Sequence, residues 1–98
     1  MVIKGIGSTR RVFINEKELK PHRSQQIVNH SPDGFNWGYA GSGSAQLALA
    51  ILLEIFDPAV GDPLPNYQMF KQDYIVPLKT GDDFLLIVNP HKLFKPYY

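Results

Sequence analysis

Residues 30–46 read HSPDGFNWGYAGSGSAQ and combine a proline-containing turn, alternating aromatic side chains and a glycine-rich bend. Glycine is costly to order and aromatic side chains are costly to expose, so a plain connection seldom carries both. The bend leads into a predicted helix from about Ser44 to Phe56, in which only Gln46 and Glu54 interrupt the apolar residues. A helix that is apolar nearly all round has to be buried. We therefore expect it to be the central core element, with the Gln46 side chain capping backbone N–H groups at its start.

The turn and the aromatic residues before this helix follow a regular pattern. Residues 31–34 place proline second and glycine fourth, as in a type I turn. Phe35, Trp37 and Tyr39 follow at alternating positions, and an extended segment would put their rings on one face. We expect these rings to form the core that covers the helix, with Tyr39 the ring that shows its hydroxyl. The competing interpretation is a surface that stacks nucleobases.

The remaining sequence predicts a small sheet and a second helix. The predicted elements are strands over residues 2–6, 11–14, 18–20 and 24–29, a helix from Tyr67 to about Val76, a strand over Phe84–Val88 and a short terminal helix after Asn89-Pro90. Residues 11–20 form a hairpin that Pro21 closes. Residues 1–98 therefore predict a single domain of the α+β class. A small antiparallel sheet with an N-terminal hairpin packs on the buried central helix, and a second amphipathic helix completes the fold.

This chain resembles a family of small proteins of unknown function found in bacteria, archaea, phages and plasmids. The resemblance rests on HSPDGF (30–35), WGY (37–39), GSG (41–43), AQLALA (45–50) and LL (52–53), with a weaker match at YQMFK (67–71). The chain departs from the family pattern at Ser44, where proline is usual, and from Phe84 onward. The resemblance implies a shared fold and a phage or mobile-element setting, such as phage–host conflict or mobile-element maintenance. It leaves the activity open.

The composition is that of an ordered globular protein, with 44% hydrophobic residues. There is no cysteine, so no disulfide, thiolate metal site or thiol nucleophile is available, and a reducing cytoplasm is compatible with the sequence. The first residues lack the order of a signal peptide, and the longest apolar run, Leu47–Leu53, is far shorter than the roughly 20 residues of a membrane span. We expect a soluble, cytoplasmic protein that does not bind membranes.

The net charge of +1 hides an uneven distribution. Residues 1–30 carry six basic and two acidic side chains, whereas residues 31–98 carry four lysines and seven acidic side chains. Such a basic hairpin is ordinarily a solvated face, but it also favours an anionic partner. A nucleic-acid-binding module would use the basic residues Arg10, Arg11, Lys20 and Arg23.

The glycine-rich bend is the main candidate binding site. Free backbone N–H groups and the helix dipole favour an anion at a helix start, and serine hydroxyls would add donors. The bend lacks the lysine of the Walker loop and the third spaced glycine of the dinucleotide fingerprint. The alternative is that its glycines let the buried helix approach the aromatic segment closely. The residues expected to contact a ligand are His30, Asn36, Tyr39, Gly41, Ser42, Gly43 and Ser44.

No catalytic or metal-binding arrangement is predicted. His30, Ser31 and Asp33 supply the residue types of a hydrolase triad, but triads are assembled from distant segments, and the turn itself explains the serine and the aspartate. The histidines at positions 22, 30 and 91 do not have the spacing of zinc ligands. We expect neither catalytic residues nor a cofactor.

Two functions from different classes remain. The first is a non-enzymatic binding protein that holds an anionic small molecule or a partner protein around residues 30–46. The second is a nucleic-acid-binding module that uses the basic hairpin, and an enzyme is the least favoured class. The sequence specifies no partner, and self-association is compatible with it.

Overall fold

The computed structural model of this chain describes residues 1–55 and 64–89, with side chains except those of residues 64–66. Within these ranges the chain forms a four-stranded sheet whose buried face shares one hydrophobic core with the helices, which confirms the predicted α+β class. The predicted helix end at Phe56 and the terminal helix predicted after Asn89 lie outside the described residues.

Four strands form the sheet: β1 (Val2–Ile6), β2 (Arg11–Ile14), β3 (Lys17–Leu19) and β4 (Phe84–Ile87). Their spatial order is β3-β2-β1-β4, and every neighbouring pair is antiparallel. The predicted N-terminal hairpin is therefore confirmed. Its two-residue turn has positive φ at Asn15 and Glu16, the backbone arrangement whose twist matches that of the flanking strands.

Side chains alternate along the strands between a buried face and an outer face of the sheet. The buried face carries Ile3, Val12 and Phe84. Gly5 lies opposite Phe84 in the β1–β4 pair, and a β-carbon at Gly5 would lie 2.1 Å from the phenyl ring. The glycine therefore makes room for the ring to lie across β1.

The first helix contradicts one prediction, because the strand expected over residues 24–29 is absent. Helix α1 (His22–Ile27) starts directly after Pro21, whose backbone is already helical at φ −73° and ψ −18°. The Ser24 hydroxyl donates a 2.8 Å hydrogen bond to the Pro21 carbonyl and supports the first turn. The apolar pair at residues 27–28 suggested a strand, but two residues give no alternation to distinguish strand from helix.

Helix α2 (Ser42–Ile55) is the central core element. Every residue from Gly43 to Leu53 is buried, which confirms the prediction of a helix buried nearly all round. The helix begins two residues earlier than its apolar pattern indicated. The Ala45 N–H donates to the Gly41 carbonyl at 3.1 Å, so the glycine-rich bend itself provides the first helical turn.

The second predicted helix is present in two parts. Helix α3 (Leu64–Phe70) continues into a π-helical segment, Lys71–Ile75, which ends before Pro77 as the sequence predicts. Both parts pack against α2. None of the helices in the described ranges is long and apolar enough to span a membrane.

The aromatic segment after the turn divides between core and surface. Phe35 and Trp37 are buried, whereas Tyr39 is exposed. The three rings do not share one face as an extended strand would place them, because Gly38 has a φ of 84° and turns the chain. The Thr80 hydroxyl holds this turn by hydrogen bonding to the Trp37 and Gly38 carbonyls. Only the first two rings therefore cover the central helix.

Candidate functional site

The amide of Gln46 connects the segment around residues 30–34 to the core. Its Oε1 accepts the backbone N–H groups of His30 at 2.8 Å and Ser31 at 3.0 Å. Its Nε2 donates to Ser24 Oγ at 2.8 Å and to the Val28 carbonyl at 3.1 Å. The side chain is fully buried, and these bonds use all of its donor and acceptor positions. Gln46 was expected to cap the start of its own helix, but it caps the preceding loop instead.

His30 is held on two sides. In addition to its backbone bond to Gln46, its imidazole Nε2 lies 2.8 Å from the phenolic oxygen of Tyr67 on α3. Tyr67 is buried, so this bond fixes the loop to α3. Across residues 1–55 and 64–89, no group of three or more histidine or acidic side chains could hold a metal ion.

The glycine-rich bend is tightly packed against the aromatic segment. The Asn36 N–H donates to the Gly43 carbonyl at 3.2 Å, and a β-carbon at Gly43 would lie 2.6 Å from the β-carbon of Asn36. A β-carbon at Gly41 would lie 1.9 Å from the ring of Tyr39. Close approach of the two segments therefore requires Gly43, whereas at Gly41 the exposed Tyr39 ring could move aside.

The structure brings most of the predicted ligand residues together at this end of α2. Asn36, Tyr39 and the bend at 41–44 are in direct contact, whereas His30 reaches α2 one turn further along, through Gln46. Tyr39 and Ser42 are exposed, but Gly43 and Ser44 are buried. Ser42 is thus the residue of the first helical turn that solvent reaches most readily.

Gly43→Ala is expected to lower the free energy of unfolding by about 1–3 kcal/mol with no ligand present, because the added methyl group overpacks against Asn36. Urea denaturation measures the change. Ser42→Ala, at the exposed neighbouring position, is the control and should stay within about 0.5 kcal/mol of the parent. Unchanged stability in Gly43→Ala would show that packing does not require the glycine.

Ser44 carries a buried hydroxyl that has no hydrogen-bond partner among the residues that the structure describes. An unpaired buried hydroxyl costs free energy, because it gives up its hydrogen bonds to water without gaining another. Ser44→Ala is therefore expected to raise the free energy of unfolding, by about 1 kcal/mol, and with it the Tm in a thermal melt. A lower Tm would mean that the hydroxyl is bonded in solution.

Two of the basic residues proposed for nucleic-acid binding share one carboxylate on the outer face of the sheet. Arg11 lies 2.8 Å and Lys20 3.2 Å from Glu18. Hydrogen bonds from Arg11 and then Lys20 lower the pKa of Glu18 from 4.5 to about 2, and the bond to Glu18 raises the pKa of Arg11. The carboxylate therefore stays ionised to low pH and neutralises part of the basic hairpin.

The other two basic residues also have partners within the chain. Arg23 lies 3.8 Å from Glu54 on α2. The Arg10 guanidinium donates to the Gly7 carbonyl and lies 5.9 Å from the centroid of the Trp37 ring. A phosphate would have to compete with these contacts at each of the four proposed positions.

The structure shows an exposed apolar surface that sequence reasoning missed. Val2 lies opposite Ile87 in the β1–β4 pair, with both side chains on the outer face. Leu85 is 63% and Ile87 78% exposed, the highest values among the exposed large hydrophobic residues. The uninterrupted apolar run 84–88 is typical of a strand covered on both faces, yet β4 is an edge strand with one face covered. Contiguous exposed apolar surface of this kind marks interaction sites.

A groove of about 230 Å³ extends this surface across β1 to β2, and it is lined by Val2, Lys4, Ile6, Phe13 and Glu16. Phe13 is half-buried beneath the guanidinium of Arg11, 5.2 Å from its ring centroid. We refer to Val2, Phe13, Leu85 and Ile87 as the outer apolar face.

The two edges of the sheet are protected differently. At the β3 edge, the network of Arg11, Glu18 and Lys20 supplies the charges with which proteins discourage strand pairing. Strand β4 has no charged residue and no proline. Among the residues that the structure describes, no strand pairs with its outer side.

Comparison with known proteins agrees with the sequence resemblance at the level of the family. A family model described as a family of unknown function (DUF6166) matches residues 4–89, from β1 to just beyond β4. No curated protein and no solved structure matches the chain. Because the family model spans far more than half of the sequence, the chain belongs to this family of unknown function.

Proposed function

We propose that this chain is a non-enzymatic binding protein whose partner is another protein. The observation that carries the proposal is the outer apolar face, whose most exposed side chains, Leu85 and Ile87, lie together on the unpaired edge strand. Covering them with a partner would remove apolar surface from water, which is the main driving force of protein association.

The backbone of β4 is arranged to accept a further strand. Met1 and Val88 form a pair joined by two hydrogen bonds. The Val88 N–H donates to the Met1 carbonyl at 2.9 Å, and the Met1 amino group donates to the Val88 carbonyl at 3.0 Å. Bonded and non-bonded pairs alternate along an antiparallel ladder, so Leu86 is also bonded to β1. The N–H and C=O groups of Leu85 and Ile87 therefore point away from β1, toward the open edge.

These two features define the chemistry of the partner. An extended segment would add to β4 as a strand, with main-chain hydrogen bonds to Leu85 and Ile87. Apolar side chains at alternate positions of that segment would pack on the outer apolar face. The partner is therefore a protein segment of alternating apolar residues.

Ile87→Lys tests this proposal, with Met69→Lys on α3 as its matched control. Met69 is 60% exposed, so neither substitution should unfold the protein. Extended peptides selected from a displayed random library on the parent protein are expected to show alternating apolar residues. They should lose binding to Ile87→Lys and keep it with Met69→Lys. Selected peptides that bind Ile87→Lys as well as the parent would overturn the proposal.

A second candidate surface lies at the start of α2 and would hold an anionic ligand. Tyr39 is exposed, and its ring lies against Gly41. The neighbouring Ser42 is also exposed, and its N–H and hydroxyl groups lie at the positive end of the helix dipole. A ligand there should stabilise the fold by roughly 2.7 kcal/mol at a hundred times its Kd. A thermal-shift screen of nucleotides, cyclic nucleotides and simple anions measures this, and the absence of any shift would exclude the site.

The nucleic-acid alternative is tested separately at the basic hairpin. Alanine at Arg10, Arg11 and Lys20 should abolish retention on DNA or RNA and flatten its salt dependence. The contacts of Arg11 and Lys20 with Glu18 weigh against this alternative, because a phosphate has to displace them. A parent protein that retards neither nucleic acid at low salt would rule it out.

The proposal also includes a cellular compartment and a genomic context for this binding activity. The cysteine-free sequence suits a reducing compartment, and we place the binding activity in the cytoplasm. The resemblance to proteins of phages and plasmids supports a role in a mobile-element context.

A further inference from the structure

We propose that the strand accepted by β4 in the isolated protein is β4 of a second copy of this chain. The two sheets then join edge to edge in a two-fold dimer, as one eight-stranded sheet with β3 at each end. This inference rests on the proposed use of the β4 edge for protein binding, and it names the partner.

The open edge is self-complementary in one register. Two-fold antiparallel pairing can place Leu85 opposite Ile87 of the partner subunit, so that the outward N–H and C=O groups of both residues bond across the axis. Leu86 then lies opposite its own counterpart, on the buried face. On the outer face, Leu85 and Ile87 of the two copies form one apolar cluster, flanked on each side by Val2 opposite Ile87 and by Lys4 opposite Leu85.

Charge and topology favour this arrangement. The paired strands carry no charged side chain, and the register sets Asp83 opposite the neutral Asn89, so like charges do not meet. Of the two sheet edges formed by the described strands, only β4 is unprotected, because charged side chains protect β3. The assembly therefore closes at two copies instead of growing as a filament.

Leu86→Cys tests the register, since the chain has no other cysteine. In a non-hydrogen-bonded antiparallel pair the two Cα atoms lie about 4.5 Å apart, within the range of about 4.4–6.8 Å that a disulfide spans. Mild oxidation of Leu86→Cys is expected to give a covalent dimer. Two control variants should remain uncrosslinked. In Leu85→Cys the two cysteines are displaced from each other along the paired strands, and in Met69→Cys the cysteine lies on α3. Equal crosslinking of all three variants would overturn the register.

Sedimentation equilibrium tests the dimer without changing a core residue. The parent protein and the Met69→Lys control are expected at twice the 11.1 kDa of one chain, and Ile87→Lys at the mass of one chain. A dimer that persists in Ile87→Lys would overturn the inference, because the contact would then lie elsewhere. A monomeric parent at the highest concentration reached would also overturn it. Selected peptides that still bind the parent but not Ile87→Lys would in that case leave the proposed function standing.

Discussion

Trp37→Ala is expected to lower the free energy of unfolding by about 3–5 kcal/mol, a large share of the 5–15 kcal/mol typical of a whole domain. Trp37 is fully buried, and its ring meets that of Phe84 edge-on with 4.8 Å between centroids. Its indole N–H also donates to the Asp82 carbonyl at 3.0 Å. The substitution therefore removes a large volume from the contact between the aromatic segment and β4. Urea denaturation followed by circular dichroism measures the loss.

Tyr39→Ala is the matched control for this effect, because the same segment carries Tyr39 outward. Its cost should be much smaller than that of Trp37→Ala, since exposed side chains contribute little to stability. Equal losses at the two positions would contradict the division of the segment into a buried and an exposed part.

Gln46→Leu is expected to cost about 3 kcal/mol, although it places an apolar residue in an apolar core. Leucine has nearly the same size, but it leaves the N–H groups of His30 and Ser31 without their acceptor and the Val28 carbonyl without its donor. Each buried polar group left unpaired costs about 1–3 kcal/mol. The loop around residues 30–34 should loosen first, which amide hydrogen exchange at His30 and Ser31 would detect.

Gln46→Glu separates this polar role from simple packing. The carboxylate keeps the acceptor for His30 but brings a charge into a fully buried position, which raises the pKa of the introduced acid in the folded state. Stability should therefore be retained below the acid's unfolded pKa of about 4.3 and fall as the pH rises toward its folded value. A loss of stability that is the same at pH 5 and pH 7.5 would mean that the pKa of the introduced acid is not raised, so that its carboxyl group does not occupy the buried position of Gln46.

The sequence predicts the core of this fold well, for physical reasons that can be named. An apolar run with only two polar residues has to be buried, and α2 is. The short apolar strand at residues 11–14 and the turn residues that follow it predict the hairpin of β2 and β3. The prediction of a strand over residues 24–29 was wrong, because two apolar residues cannot establish a period. The helix α1 instead begins directly after Pro21.

The candidate binding surfaces are harder to predict than the core. The glycine-rich bend could be recognised as a special backbone, but whether its glycines face a ligand or Asn36 depends on a contact between separate segments. The outer apolar face depends on strand order. The apolar run of β4 looks the same whether the strand lies at the centre or at the edge of a sheet, and only its position beside β1 leaves Leu85 and Ile87 exposed.

The open edge of β4 is tested most directly by amide hydrogen exchange, measured residue by residue by NMR at low protein concentration. The amides of Phe84 and Leu86, which are bonded to β1, are expected to exchange slowly, and those of Leu85 and Ile87 quickly. The two fast amides should slow as the concentration rises and the edge becomes paired. Slow exchange at all four positions at the lowest concentration would contradict the open edge, because the strand would then be covered within a single chain.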